Sequence, residues 1–274
     1  MTNGIKDLIT ENNENFPVGS FLIPRDCRKH VYAFYLFARR ADDIADNSSL
    51  SSEEKVKSLT VIQNSLANDP EKLPEWAIPY NNSLKQTGCS PINGTDLLSA
   101  FIQDAIKHRY ASWDELMDYC SKSAASVGRA MLDIHNEKDA DFEGIDALCN
   151  ALQVLNHIQD CKNDYLNHNR VYIPEDWLKA EGCKVEKLGE EFISQELRKV
   201  IDRCLIKTDE LLAKANKSPN SIKRRGLRLE TAVILRLAKA LSYKLRRNDP
   251  LRNKIKLSKF SWVWCGAKGV VSSW

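Results

Sequence analysis

Apolar residues along the chain recur mainly at three- and four-residue intervals, the spacing of amphipathic helices, and strand-like alternation is scarce. Pro24 precedes the first apolar segment and Pro250 follows the last, positions where prolines border helices. The prolines between residues 67 and 91 predict loops with at most short helices. Helices are predicted at residues 26–46, 52–66, 93–109, 113–137, 143–167, 190–215 and 221–247.

No linker-like composition, repeat or low-complexity segment divides these helices. We therefore predict one all-α domain covering residues 1–274. No apolar run reaches the roughly 18 residues of a transmembrane helix, and the N-terminus has no apolar segment typical of a secretory signal. The sequence thus predicts a cytoplasmic protein whose 8 cysteines are mostly buried, reduced thiols, because their spacing suits no zinc site.

The first polar constellation ends an apolar, aromatic helix and contains Arg39, Asp42, Asp43 and Asp46. Asp42 and Asp46 are one helical turn apart, so their carboxylates share a face and repel each other unless a cation lies between them. The alternative is a solvated acidic face. Because the preceding stretch is apolar almost all round, as in a buried helix, we predict that these carboxylates point into a cavity.

A second constellation follows one strip of the helix predicted at 143–167. Gln153, Asn156, Asp160 and Asp164 lie within a wedge of about 80°, beside leucines that predict packing against the core. The alternative is again a solvated face. Burying these amides and carboxylates without partners would cost roughly several kcal/mol. A complex of Mg²⁺ with a diphosphate would supply the missing partners.

Two such strips in one sequence predict a site in which they face each other across a cavity. Mg²⁺ binds one or two carboxylates together with phosphate oxygens. Asp42 and Asp46 on one side, and Asp160 and Asp164 on the other, are the predicted metal ligands, with Asn156 beside them. Bound there, the metal would neutralise charge on a leaving diphosphate.

These motifs resemble those of the squalene/phytoene synthase family, and the likeness extends from about Asn15 to about Trp264. Asp42 and Asp46 match the family's first D-x-x-x-D, and its Q-x-x-N-x-x-x-D-x-x-x-D motif is matched in full by the second strip. Two further patterns, Y-C-x-x-x-A-x-x-V-G and R-x-Y-x-P, are matched by Tyr119, Cys120, Ala124, Val127 and Gly128 and by Arg170, Tyr172 and Pro174.

Within the family, segments 15–20, 37–46 and 123–129 are most similar to the bacterial branch that forms hydroxysqualene. Ala125 stands where phytoene and squalene synthases usually have glycine, which argues against an ordinary phytoene synthase. Ile158 stands where the hydroxysqualene branch often has an aromatic residue.

The resemblance implies helices packed around a central apolar cavity. It also implies that presqualene diphosphate loses diphosphate, with Mg²⁺, and that water captures the resulting cation to give hydroxysqualene. Aromatic faces stabilise such a cation; Tyr119 and Tyr32 are predicted to line its pocket, while core packing is favoured for Phe34 and Tyr35.

The resemblance also assigns the remaining site residues. Tyr119 and the four motif aspartates are the implied catalytic residues. The residues expected to contact substrate are Arg39, Tyr32, Gln153, Asn156, Arg170 and Tyr172, with the arginines pairing with phosphate oxygens.

No G-x-G-x-x-G motif and no βαβ pattern is present, so NADPH is not expected. The implied pathway neighbours are a presqualene diphosphate synthase, which supplies the substrate, and a hydroxysqualene reductase, which consumes the product.

Positive charge is concentrated at the C-terminus, where residues 221–274 contain 14 lysines and arginines and 2 acidic residues. No nucleic-acid-binding module is recognisable, so nucleic acid is not an expected partner. Basic residues interleaved with Phe260, Trp262, Trp264 and Trp274 favour peripheral association with an anionic membrane. The alternative is that this tail caps the helical core.

Two other functions stay open at this point. One is condensation of two farnesyl or geranylgeranyl diphosphates to presqualene diphosphate, squalene or phytoene, which needs the same acidic motifs. The other is a catalytically silent scaffold, which would have no need of four aligned aspartates.

Overall fold

The computed structural model describes residues 22–252 and residue 255, and helices dominate this part of the chain. The α-helices are α1 Arg25–Asp46, α2 Ser52–Asn68, α3 Ile78–Thr87, α4 Ile92–Ile106, α5 Trp113–Cys120, α6 Ser126–Ile134, α7 Phe142–His168, α8 Glu175–Ala180, α9 Gln195–Lys214 and α10 Arg225–Arg247. Arg109 and Val171 form an isolated parallel bridge. No sheet occurs among the described residues, and the predicted all-α class is confirmed.

Several helices begin at side chains that satisfy the free backbone N–H groups of the first turn. Ser51 and Glu54 form a reciprocal capping box at α2. Asp141 accepts a hydrogen bond from the Gly144 N–H at the start of α7, and Ser194 caps α9 in the same way. The starting points of these helices are therefore encoded locally.

The structure departs from the predicted helices at several places. Helix α8, Glu175–Ala180, lies outside every predicted range, and two other differences concern backbone geometry. Helix α3, which has 10 residues, lies in the proline-rich segment predicted to form loops with at most short helices. Pro79 occupies its first turn, where proline is tolerated, and Gly88 ends it with a φ of 69°. The single helix predicted at 113–137 is divided by a π-helical turn, Ser121–Ala125, between α5 and α6. Both differences reflect backbone geometry that apolar spacing alone does not reveal.

Two large apolar clusters make up most of the core. One joins α4 and α5 to α7, α8, α9 and α10, and the other joins α1, α2, α3, α4 and α6. The cavity described below lies where the two clusters meet. No helix among the described residues is both long and apolar enough to span a membrane.

Helix α6 approaches α7 closely at Gly128. A Cβ atom at this position would lie 2.6 Å from the Cys149 Sγ and 3.0 Å from the Ile145 Cγ2. Such separations are shorter than van der Waals contact, so this glycine permits the helix pair that forms one wall of the cavity.

We expect Gly128→Ala to lower the free energy of unfolding by about 1–3 kcal/mol, because the methyl group overpacks the α6–α7 contact. Chemical denaturation measures this change. Cys149→Ala removes the closest atom, so the double variant should recover part of the loss. In an unconstrained helix, glycine to alanine stabilises by about 1 kcal/mol; a gain of that kind would contradict the close approach.

Candidate active site

A cavity of about 700 Å³ is enclosed by α1, α4, α5, α6, α7 and α10. Most of its wall is apolar, including Val31, Leu97, Phe101, Met131, Leu152 and Ile234. Acidic and amide side chains cluster at one end, where the lining includes Asp42, Asp104, Gln153, Asn156, Asp160 and Asp164. The two predicted polar strips therefore share one cavity.

Arg170 connects the two acidic helices. It follows the end of α7, and its Nη1 donates to the Asp46 Oδ1 at 2.7 Å. Its Nε donates to the backbone carbonyl of Asp104 at 3.2 Å. Asp46 itself is not among the residues that line the cavity, whereas Arg170 is. The guanidinium thus holds the carboxyl end of α1 against α4 and the α7 loop.

The segment that carries Arg170 is fixed by a neighbouring loop. Arg109 Nη2 donates to the Asn169 Oδ1 at 2.7 Å, and the Val171 N–H donates to the His108 carbonyl at 2.9 Å. Asn169 has a φ of 52° and ends α7. This clamp determines where Arg170 and the residues after it lie.

Asp104 organises the aromatic wall beside the acidic end. Its side chain is buried, and its two oxygens accept hydrogen bonds of 2.8 Å from the Tyr119 and Tyr172 hydroxyls. The rings of Tyr110, Tyr119 and Tyr172 lie 5.3 to 5.6 Å apart. Burial raises the pKa of both phenols, so the hydroxyls remain protonated donors.

The acidic end is electrostatically crowded. Burial, and then the neighbouring Asp46 carboxylate, raise the pKa of Asp42 to about 6. Burial and Asp160 raise the pKa of Asp164 to about 7, although Arg170 opposes the rise. Burial also raises the pKa of Asp104 to about 6. Ionisation of these carboxyls is therefore less favourable than in water, and a cation nearby would make it more favourable.

The carboxylate and amide oxygens at this end suit a hard divalent cation. Among the described residues, no group of three or more His, Cys, Asp or Glu side chains is placed to hold a metal by protein ligands alone. Mg²⁺ commonly takes only one or two carboxylates and completes its shell with water and phosphate oxygens. The donor set therefore fits Mg²⁺ bound together with a diphosphate.

The structure separates the aromatic candidates of α1. Phe34 and Tyr35, assigned to core packing from the sequence, line the cavity, whereas Tyr32 is not among its lining residues. Phe34 also packs on Tyr80, with ring centroids 5.3 Å apart. Arg39 lines the cavity and pairs with Asp42 at 3.6 Å and with Asp43 at 3.3 Å. The role predicted for Tyr32 in the pocket does not agree with this placement.

His157 is a residue of this cavity that the sequence motifs did not identify. It is 8 % exposed, lines the cavity and stacks on Tyr172 with ring centroids 3.7 Å apart. Burial, and then Arg170, lower its pKa to about 3, so the ring is neutral. Its position in the helix, between Asn156 and Ile158, gave no indication of this contact.

Cys161, which lies inside the second motif, is an inert thiol. It is buried, and burial raises its pKa to about 12. The described cysteines are all free thiols, as predicted, while Cys265 lies outside the described residues.

Comparisons with known proteins agree with this geometry. The sequence profile of the squalene/phytoene synthase family matches residues 9–261. The hydroxysqualene synthase of Zymomonas mobilis subsp. mobilis is 41 % identical over 249 residues, which is 90 % of this chain and 84 % of that protein. That of Sinorhizobium fredii is 41 % identical over 245 residues, covering 89 % of this chain and 84 % of the relative.

Among solved structures, squalene synthase HpnC from Alicyclobacillus acidocaldarius superposes with a TM-score of 0.77 at 25 % sequence identity, covering 89 % of this chain and 92 % of that one. The chain belongs to the squalene/phytoene synthase family. It is thus an enzyme of a family that acts on prenyl diphosphates.

The raised pKa of Asp164 predicts a pH-dependent effect of Asp164→Asn on stability. The folded state binds this proton more tightly than the unfolded state between about pH 4 and pH 7. Ionisation of Asp164 therefore lowers stability progressively through that window. We expect the metal-free variant to melt at a higher temperature than the wild type at pH 8, with the difference vanishing towards pH 4.5.

The neutral, buried His157 gives an opposite pH trend, but it is common to both proteins and cancels in the difference. Asp43→Asn, on the exposed side of α1, is the control for a general effect of removing negative charge. A difference in melting temperature that stays constant from pH 8 to pH 4.5 would show that Asp164 has no raised pKa.

Proposed function

We propose that this enzyme converts presqualene diphosphate and water to hydroxysqualene and diphosphate. The observation that carries the proposal is one cavity with a cluster of acidic and amide side chains at one end and a mostly apolar lining along the rest, in a chain 41 % identical to hydroxysqualene synthases over nine-tenths of its length. A substrate with a charged head and two hydrocarbon chains is complementary to such a cavity. The scaffold alternative gives no reason for this convergence of carboxylates.

Asp42, Asp46, Asn156, Asp160 and Asp164 would hold Mg²⁺ at the acidic end. When bound, the metal neutralises negative charge on the departing diphosphate. Its arrival also favours the ionised form of Asp42 and Asp164, whose pKa values are raised. The metal and the diphosphate are therefore expected to bind cooperatively, because each relieves repulsion that the other would meet.

Arg170 and the tyrosines act beside this metal site. Arg170 is placed to donate to phosphate oxygens when Asp46 turns to the metal. The Tyr119 and Tyr172 hydroxyls are held by Asp104, which orients the rings beside the cavity. Their π faces stabilise a carbocation, and the apolar lining excludes water other than the molecule that reacts.

Head-to-head condensation of two farnesyl diphosphates is the second candidate. It is favoured by one observation, the superposition on a protein named a squalene synthase. Both reactions ionise a diphosphate in the same kind of cavity, so only product analysis separates them.

The proposed reaction also defines its neighbours. A presqualene diphosphate synthase must supply the substrate, and a hydroxysqualene reductase would remove the hydroxyl from the product. We propose no NADPH requirement for this enzyme, since loss of diphosphate and addition of water need no reductant.

The deciding assay incubates the purified protein with presqualene diphosphate or farnesyl diphosphate, with Mg²⁺ or with EDTA, and without NADPH. We expect hydroxysqualene by mass spectrometry from presqualene diphosphate with Mg²⁺ only. Asp164→Asn should lower kcat at least about 100-fold, since each 1.4 kcal/mol of lost stabilisation is about tenfold.

Asp43→Asn is the matched control for this assay. Asp43 lies in the same motif but is not among the residues that line the cavity, so its substitution should change kcat less than about threefold. Presqualene diphosphate or a hydrocarbon formed from farnesyl diphosphate would instead establish the condensation reaction.

We also propose that the enzyme associates peripherally with anionic membranes. The support is the sequence of the basic, tryptophan-containing C-terminus, which lies outside the described residues apart from residue 255. The full chain is expected to sediment with vesicles containing anionic lipid, and less so at high salt. A chain that stays in the supernatant at low salt would refute this association.

A further inference from the structure

The cavity is long as well as wide. Its lining on α7 extends from Ile145 to Asp164, a rise of about 28 Å at 1.5 Å per residue. Along the adjacent segment, which includes α5 and α6, the lining extends from Tyr119 to His135, a rise of about 24 Å if the intervening turn is treated as helical. Both walls lead from the acidic end to a second end marked by Ile145 and His135.

The second end is closed by buried side chains from different elements. Ile23, immediately before α1, and Leu227, in the first turn of α10, line the cavity there and are each 7 % exposed. The first turn of α10 lies against the residue before Ile23, since a Cβ on Gly226 would meet the Leu22 carbonyl oxygen. Glu230, also buried, adds a carboxyl group to this end.

His135 also lines the cavity at this end. It directly follows α6 and is 1 % exposed. Its Nδ1 lies 2.8 Å from the Met131 carbonyl oxygen, so Nδ1 carries the proton and donates it. Its Nε2 is buried without a hydrogen-bond partner among the described residues. This hydrogen bond holds the imidazole ring in one orientation at the end of a mostly apolar channel.

We propose that His135 is a specificity-determining residue that limits the length of the prenyl chain this enzyme accepts. The proposal rests on the proposed function, because it concerns the hydrocarbon part of the same substrate. The acidic end fixes the diphosphate, so the distance from there to His135 sets the length of chain that fits.

Both the size and the polarity of this end oppose a longer chain. One additional isoprene unit adds four main-chain carbons, which lengthen an extended chain by at most about 6 Å. That extension would press against the imidazole ring and bury its unpaired nitrogen and the Glu230 carboxyl against hydrocarbon, which is unfavourable. Forcing extra carbon atoms into a well-packed interior displaces side chains and costs free energy.

The test compares kcat/KM for presqualene diphosphate with that for its homologue assembled from two geranylgeranyl chains. For His135→Ala we expect the ratio to shift towards the longer substrate by about tenfold or more, the scale on which hydrophobic pockets discriminate chain extensions. His135→Trp should shift the ratio the other way. The dissociation constants of non-ionisable farnesyl and geranylgeranyl thiolodiphosphates, measured by calorimetry, should move in parallel.

Met131→Ala is the matched control. Met131 lines the cavity from α6, four residues before His135 and so one turn closer to the middle of the channel. The substitution widens the channel without lengthening it and should leave the preference for chain length unchanged. The two His135 variants change the size of the residue in opposite directions. If only one of them folds, as judged by circular dichroism, its substrate preference still tests the proposal, because the direction of the shift is predicted for each.

An unchanged preference in the folded His135 variants, or an equal shift in Met131→Ala, would overturn the role of His135. The proposed function is tested separately by the wild-type enzyme: if it does not convert presqualene diphosphate, the proposed function is wrong. If that enzyme instead condenses farnesyl diphosphate, the same comparison is made with farnesyl and geranylgeranyl diphosphates.

Discussion

Repulsion between carboxylates at one end of a buried cavity is the constraint on which the rest of the structure depends. Helices α1, α4 and α7 all bring their carboxyl ends to this place, with Asp42, Asp104 and Asp164 in or near the last turn of each. The negative ends of the helix dipoles add to the charge of the side chains. The positive charge of Arg170 offsets part of this negative charge. The pKa values of Asp42 and Asp164 are nevertheless raised, which shows that repulsion between the carboxylates persists. In our proposal, a divalent cation bound with a diphosphate would relieve the repulsion between these carboxylates, which the folded chain alone offsets only in part.

The same constraint explains why Asp104 is tied to two phenols. A carboxyl group buried without partners costs more than one that is hydrogen-bonded, and the Tyr119 and Tyr172 hydroxyls supply those bonds. In return, the carboxyl group orients both rings beside the reacting end of the cavity. The buried carboxyl group and the two hydroxyls thus satisfy one another through a single set of hydrogen bonds.

Much of this site could be predicted from the sequence because helical spacing is local. Asp160 and Asp164, four residues apart, share a face in any helix, and a likeness over nearly the whole chain drew attention to Tyr119. Asp104 and His157 could not be assigned in this way, since their roles arise from contacts with residues 15 or more positions away. Among the α1 aromatics, which one faces the cavity depends on the rotation of the packed helix, which the sequence does not specify.

The π-helical turn, Ser121–Ala125, determines which side chains on either side of it face the cavity. Tyr119, Val127, Met131 and His135 all line the cavity. In an uninterrupted α-helix, 16 residues at 100° each would leave His135 rotated by about 160° from Tyr119, on nearly the opposite face. A π-turn spreads one turn over more residues and so reduces the rotation per residue. The π-turn therefore allows Tyr119, at the acidic end, and His135, at the second end, to face the same wall of the cavity. The turn that the apolar pattern did not predict is thus the feature that lets one helix segment line the full length of the channel.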